Sequence, residues 1–233
     1  MRTAPTGADG ACAGLAAVLF DMDGLLVDTE PLWFEVEQEV MARLGGEWTE
    51  RDQRALIGGS LRRSVGYMLG RATRPATAEA VAEWLIGGMA GLLAEREAAA
   101  MPGALELVAQ VRAAGIPFAL VTSSERVIMD AVLRSLARRG ISFPVTVCGG
   151  DVRRTKPDPE PYQLAAAMLG ADPRCCVALE DSPSGVAAAE AAGCVTVAVP
   201  GPAAVPAGPG RAVIASLAEV DLPLLRALLA RSR

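Results

Sequence analysis

The sequence predicts an α/β protein: a doubly wound parallel sheet carrying an inserted all-helical domain. Three observations carry that expectation. Short apolar runs with the length and residue types of buried strands alternate with helix-periodic stretches over residues 16–30 and 103–231. Residues 31–101 between them are helix-periodic and hold no run that reads as a strand. Polar residues also recur after successive strand-like runs, at Asp21/Asp23, Thr122/Ser123, Lys156 and Glu180/Asp181. In a doubly wound sheet those ends share one edge, where ligands bind.

The elements follow in order. Ala16–Phe20 reads as a buried strand, and the carboxylates behind it belong where the strand emerges, because burying them without partners is costly. Gly24 permits a sharp turn or a close approach to the backbone. Pro31 suits the first turn of a helix over 32–44, closed by Gly45-Gly46. Helical spacing continues over 51–97, broken by Gly58-Gly59-Ser60, with Thr77 placed to cap a helix. From Pro102 on, helices are expected over 104–114, 125–139, up to Leu169, 183–192 and 221–231. Strands are expected over 117–121, 145–148, 175–179, 195–199 and 212–215.

Composition removes several classes of function. A formal net charge of −5 argues against a general nucleic-acid binder. No uncharged apolar run reaches the roughly eighteen residues that span a bilayer. Residues 1–14 lack the apolar segment of a signal peptide and read as a short disordered leader of a cytoplasmic protein. The five cysteines, Cys12, Cys148, Cys175, Cys176 and Cys194, form no C-x-x-C pair and read as buried reduced thiols. Histidine is absent. That removes imidazole bases, Ser-His-Asp and Cys-His catalysis and HExxH metal sites, and leaves acid–base work to carboxylates, lysine, cysteine or tyrosine.

Asp21 and Asp23 stand two residues apart at a strand end, where their like charges repel. A hard divalent cation such as Mg²⁺ would relieve that repulsion and hold a phosphate oxygen against Asp21. One carboxylate could then attack phosphorus while the other handles protons.

The chain resembles the haloacid-dehalogenase-like phosphatases, in particular the β-phosphoglucomutase-like and hexose-phosphate phosphatase group with a small helical cap. Phe20-Asp21-Met22-Asp23-Gly24 through Glu30 is similar to the first family motif, and Leu120-Val121-Thr122-Ser123-Ser124 to the second. Lys156-Pro157-Asp158-Pro159 is similar to the third, and Leu179-Glu180-Asp181-Ser182-Pro183-Ser184-Gly185 to the fourth. Order and spacing fit across nearly the whole chain. The resemblance implies a Rossmann-like core over 15–30 and 102–233 and a cap over 31–101, with hinges near Thr29–Leu32 and Ala99–Gly103. It implies Mg²⁺-dependent hydrolysis of a small phosphorylated metabolite through an aspartyl-phosphate; the oligomeric state is open, with a monomer as the default expectation.

In that scheme Asp21 is the nucleophile and Asp23 the general acid and base. Mg²⁺ is held by Asp21, the backbone carbonyl of Asp23 and Asp181, with Glu180 bound directly or through water. Thr122, Ser123 and Lys156 bind the phosphoryl group. Residues 51–74 carry Arg51, Arg54, Arg62, Arg63, Arg71 and Arg74 against Asp52 alone. Arg62 or Arg63, beside the Gly58-Gly59-Ser60 loop, is expected to reach over an anionic substrate. Asp28, Thr29 and Glu30 are expected to serve only the exit into the cap. A phosphosugar mutase is the near alternative, but Trp33 stands where that group carries histidine and Leu61 where it carries arginine. An inactive binding module on the same fold is the other.

Overall fold

A computed structural model describes residues 12–56, 59–201 and 204–232. Residues 1–11 of the expected leader, and Gly58 of the expected cap loop, lie outside the described residues. Six strands form one parallel sheet. In chain order they are β1 (Ala17–Phe20), β4 (Phe118–Val121), β5 (Val145–Val147), β6 (Cys176–Glu180), β7 (Val195–Ala198) and β8 (Arg211–Val213). Their spatial order is β5-β4-β1-β6-β7-β8, with β1 between β4 and β6. The sheet is doubly wound. On β1, Val18 and Phe20 join one apolar cluster while Ala17 and Leu19 join another, so the period of two feeds a core on each face.

One face packs against helices α5 (Ala104–Ala113), α6 (Arg126–Arg138) and α9 (Leu222–Arg231). The other packs against α7 (Glu160–Met168) and α8 (Pro183–Ala192). Small residues such as Ala165, Ala166, Ala188 and Ala189 let α7 and α8 lie close to the sheet.

Between β1 and α5 the chain forms α1 (Glu30–Arg43), α2 (Glu50–Leu56), α3 (Leu61–Leu69) and α4 (Ala78–Glu95). The starts of α1, α3 and α4 have local causes. Pro31 sits in the first turn of α1, Ser60 accepts from the N–H of Arg63, and Thr77 accepts from the N–H of Ala80. On α4, Val81, Leu85, Met89 and Leu93 repeat every four residues and are buried. Where the chain leaves and re-enters the sheet, β2 (Val27–Asp28) and β3 (Ala99–Ala100) pair antiparallel. Runs of two residues give no period to read, so this ribbon is invisible in the sequence.

One sequence expectation is overturned. Cys12 and Cys175 form a disulfide, with Cα atoms 5.3 Å apart. The backbone N–H of Ala16 donates to the carbonyl of Cys175 at 2.8 Å, so the segment before β1 runs beside the turn before β6 and brings the two sulfurs together. That pairing spans 163 residues of chain, which cysteine parity and spacing cannot reveal. Cys148, Cys176 and Cys194 are free and buried, as expected. No helix among the described residues is long and apolar enough to cross a membrane.

Candidate active site

Every candidate carboxylate lies at the carboxyl edge of the sheet. Asp21 follows the last residue of β1, and its N–H donates to the carbonyl of Leu179 on β6 at 3.0 Å. Thr122 follows β4 and donates its N–H to the carbonyl of Val147 at 2.9 Å. Glu180 ends β6, and Asp181 comes next. The ladder therefore continues one residue past β1 and β4, which fixes these backbones before any side chain acts.

Lys156 joins the strand ends. It is buried, and its ammonium donates to Asp21 Oδ1, to Glu180 Oε1 at 2.6 Å and to the Val121 carbonyl at 2.9 Å. All three ammonium protons are thereby used. Burial alone would lower the lysine pKa, but Asp21 and Glu180 outweigh it and hold the group above its ordinary value. Burial pushes Asp21 up to about 8. The Lys156 charge opposes that, while Glu180 and Asp23 add to it. Tyr162 on α7 also donates its hydroxyl to Glu180 Oε1.

Asp21, Glu180 and Asp181 each bring a carboxylate oxygen within 4.8 Å of the others, and all three residues are buried. Burial, followed by repulsion from Asp21 and Glu180, raises Asp181 well above the usual carboxylate range. One lysine cannot balance three carboxylates. Two glycines make room for them. Gly24 has φ +78°, and a Cβ there would stand 2.2 Å from Asp181 Oδ2. A Cβ on Gly185 would stand 2.0 Å from the Glu180 carboxylate.

Asp23 sits apart from that cluster in a net of hydroxyls. Its Oδ1 accepts from Thr29 Oγ1 at 2.7 Å, and its Oδ2 accepts from Thr122 Oγ1 at 3.1 Å and Ser124 Oγ at 2.7 Å. The hydroxyl of Ser123 is buried with no hydrogen-bond partner among the described residues, and the residue lines the cleft just ahead of α6. Such an orphan, next to a helix N-terminus, suits an anionic oxygen.

These residues form the floor of one cleft, and the inserted helices form its opposite wall. Trp33, Glu37, Gln53, Leu61 and Ser64 line that wall together with Glu30. Arg62 is exposed and not among the lining residues. Arg63 is exposed and donates to the Ala55 carbonyl at 3.0 Å. Helix α3 turns its Leu61 and Ser64 face inward instead, so neither arginine reaches the cleft as expected. Two other arginines of this stretch pair within the insertion: Arg54 with Glu50 at 3.3 Å, and Arg71 with Asp52.

The structure also adds residues that the sequence reading passed over. Thr29, expected to serve only the chain exit, binds Asp23, and Glu30 lines the cleft. Ser124, Tyr162, Glu37 and Gln53 belong to the site as well. Ser124 could have been found as the third hydroxyl of Thr122-Ser123-Ser124. Tyr162 and Glu37 carry no signal outside their helical positions.

The fold is a parallel α/β sheet with buried acids gathered at its strand ends. The chain belongs to the haloacid dehalogenase-like hydrolases, whose family model matches residues 15–193. It is 36% identical over 193 residues to hexitol phosphatase B of Escherichia coli, covering 82% of this chain and 86% of that protein. It is 35% identical over 185 residues to a phosphorylated carbohydrates phosphatase of Thermotoga maritima, covering 77% and 82% respectively. With such relatives it is a phosphoric monoester hydrolase. Among solved structures, a mutant of CbbY from Rhodobacter sphaeroides in complex with xylulose-(1,5)bisphosphate superposes with a TM-score of 0.82. That comparison has 30% identity and covers 91% of this chain and 99% of that one.

Proposed function

We propose that this protein is a Mg²⁺-dependent phosphatase that hydrolyses a small sugar or polyol phosphate through a phosphorylated Asp21. The convergence of Asp21, Lys156, Glu180 and Asp181 at one sheet edge carries the proposal, with Asp23 held alongside in its hydroxyl net. Hexitol phosphatase B and the carbohydrate phosphatase agree with that substrate class.

The donor set fits a hard divalent cation. It is all oxygen, buried and negative beyond what Lys156 balances, with glycine at 24 where a side chain would intrude. Asp21, Glu180 and Asp181 would hold the ion together with the Asp23 carbonyl. When bound, Mg²⁺ would supply charge neutralisation at the phosphoryl oxygens.

The chain's own groups account for the remaining chemistry. Ser123 binds a phosphoryl oxygen with its unpartnered hydroxyl, Thr122 does so by turning its proton from Asp23, and the Lys156 charge offsets the negative phosphoryl group beside Asp21. An Asp21 carboxylate oxygen forms a bond to phosphorus as the bond to the substrate oxygen breaks, and Asp23 gives that leaving alkoxide a proton. Asp23 then takes a proton from water as the water oxygen attacks phosphorus, freeing phosphate and restoring Asp21. The hydroxyls of Thr29, Thr122 and Ser124 both donate and accept, so the same net can hold Asp23 in either protonation state.

Hydrolysis is favoured over phosphoryl transfer between sugar positions because Trp33 and Leu61 line the wall where the mutase group carries histidine and arginine. Release of inorganic phosphate from p-nitrophenyl phosphate with Mg²⁺ tests the proposal. It predicts turnover in the native protein and none in Asp21→Asn. Activity unaffected by that substitution would refute it.

A further inference from the structure

The wall facing the catalytic floor has an unusual charge pattern. Among the described residues lining the cleft, Lys156 is the sole cation, and its three protons are already used by Asp21, Glu180 and Val121. Residues 57 and 58, outside the described residues, are Ile and Gly and bring no charged side chain. The wall instead presents two carboxylates, Glu30 and Glu37, and neither takes part in an ion pair among the described residues.

Keeping a carboxylate unpaired in a largely apolar wall costs stability, and Glu37 is 7% exposed. Burial pushes it up to about 7, against the pull of its Trp48 hydrogen bond. Its position is nevertheless held firmly. The Trp48 indole N–H donates to Glu37 Oε2 at 2.9 Å, and Trp48 packs edge-on against Tyr67 at 5.7 Å. The Tyr67 hydroxyl donates to Asp52 at 2.8 Å. That brace uses one carboxylate oxygen of a residue that lines the cleft. Glu30 is held in a similar way, by the Gln53 amide donating to its carbonyl at 2.9 Å and to its Oε2 at 3.2 Å.

A fixed acceptor without an ion-pair partner suits a hydroxyl donor and, once ionised above about pH 7, repels an anion; burial pushes Glu30, like Glu37, up to about 7. Building on the phosphatase reading, we propose that Glu37 is a specificity residue. It accepts a hydrogen bond from a hydroxyl of the substrate body, and with Glu30 it excludes substrates bearing a second phosphate. The preferred substrate is then a neutral polyol or sugar carrying a single phosphate. The CbbY complex holds a bisphosphate on the same fold, so the fold itself does not forbid a second phosphate. The difference would lie in this wall.

Three substrates separate the outcomes: sorbitol 6-phosphate, fructose 1,6-bisphosphate and p-nitrophenyl phosphate, the last with no hydroxyls on its body. The native protein should prefer sorbitol 6-phosphate to the bisphosphate by about a hundredfold in kcat/KM. Glu37→Leu should lower kcat/KM for sorbitol 6-phosphate relative to p-nitrophenyl phosphate by about tenfold or more, chiefly through KM. Glu37→Gln keeps an acceptor for Trp48 and serves if the leucine variant fails to fold; its expected loss is about threefold. Leu61→Arg should raise relative activity on the bisphosphate. Equal use of mono- and bisphosphate by the native protein, or an unchanged substrate ratio in a folded Glu37 variant, would overturn the inference. Phosphate release from none of the three would instead overturn the phosphatase reading on which it rests.

Discussion

The two sides of the cleft satisfy their polar groups in opposite ways. On the floor, the acids are wired together: Lys156 bonds Asp21 and Glu180, Tyr162 bonds Glu180, and three hydroxyls bond Asp23. On the wall, Glu30 and Glu37 each accept one side-chain hydrogen bond from a neutral group and have no ion pair among the described residues. A densely coupled floor keeps one chemistry. A sparsely coupled wall can change its reading of the substrate without disturbing that chemistry.

The contrast is broken most severely at the floor. Asp21→Asn removes the attacking oxygen while keeping shape, so phosphate release should fall by about 10⁴-fold or more with the fold retained. A progress curve beside a circular dichroism spectrum checks both points.

Lys156→Met comes next, because it strands two buried carboxylates at once. Stability to denaturant should drop by about 3 kcal/mol at pH 8, with activity lost. The drop should shrink at pH 5, where the stranded acids take up protons.

Gly185→Ala drives a methyl into the Glu180 carboxylate, with a gap of 2.0 Å where none can be tolerated. About 2 kcal/mol of stability should go. The concentration of Mg²⁺ giving half-maximal activity should rise.

The smallest effect belongs to the wall, and its sign is opposite. Glu37 sits at about 7 in the folded protein against 4.5 for the free group, so the folded state holds the extra proton between those values. Its contribution to stability is therefore present below about pH 4.5 and is lost as pH rises to about 7. Glu37→Gln removes that loss. The variant should be more stable than the native protein at pH 8 by about 1–2 kcal/mol and equal to it at about pH 4.5, as read from urea midpoints. The full shift corresponds to about 3 kcal/mol, and water in the cleft reduces it. A gain in stability alongside a loss of substrate selection would mark Glu37 as a group kept for recognition.

The floor was largely legible in the sequence, because its residues follow strands. An apolar run that must be buried forces the first polar residues after it to the sheet edge, and parallel topology puts all such edges together. Asp21, Thr122, Glu180 and Asp181 follow from that rule alone. Lys156 was found by its motif, and its partners were not. The wall was poorly legible for the converse reason. On α1 and α3, which side chain faces the cleft depends on how the helix is rotated against α4 and the sheet. One helical position advances the direction by about 100°. That is why the arginine-rich stretch suggested Arg62 when the inward face carries Leu61 and Ser64, and why Glu30 and Glu37 drew no notice as cleft residues.

Alternation of apolar runs and helical periods thus determined the sheet, the insertion and the order of the strand-end acids, since burial of apolar side chains is a local and repetitive requirement. Tertiary structure alone decided the Cys12–Cys175 bond, the hydroxyl net around Asp23 and the acidic wall. Each depends on residues far apart in the chain meeting at one angle, and no local pattern encodes an angle.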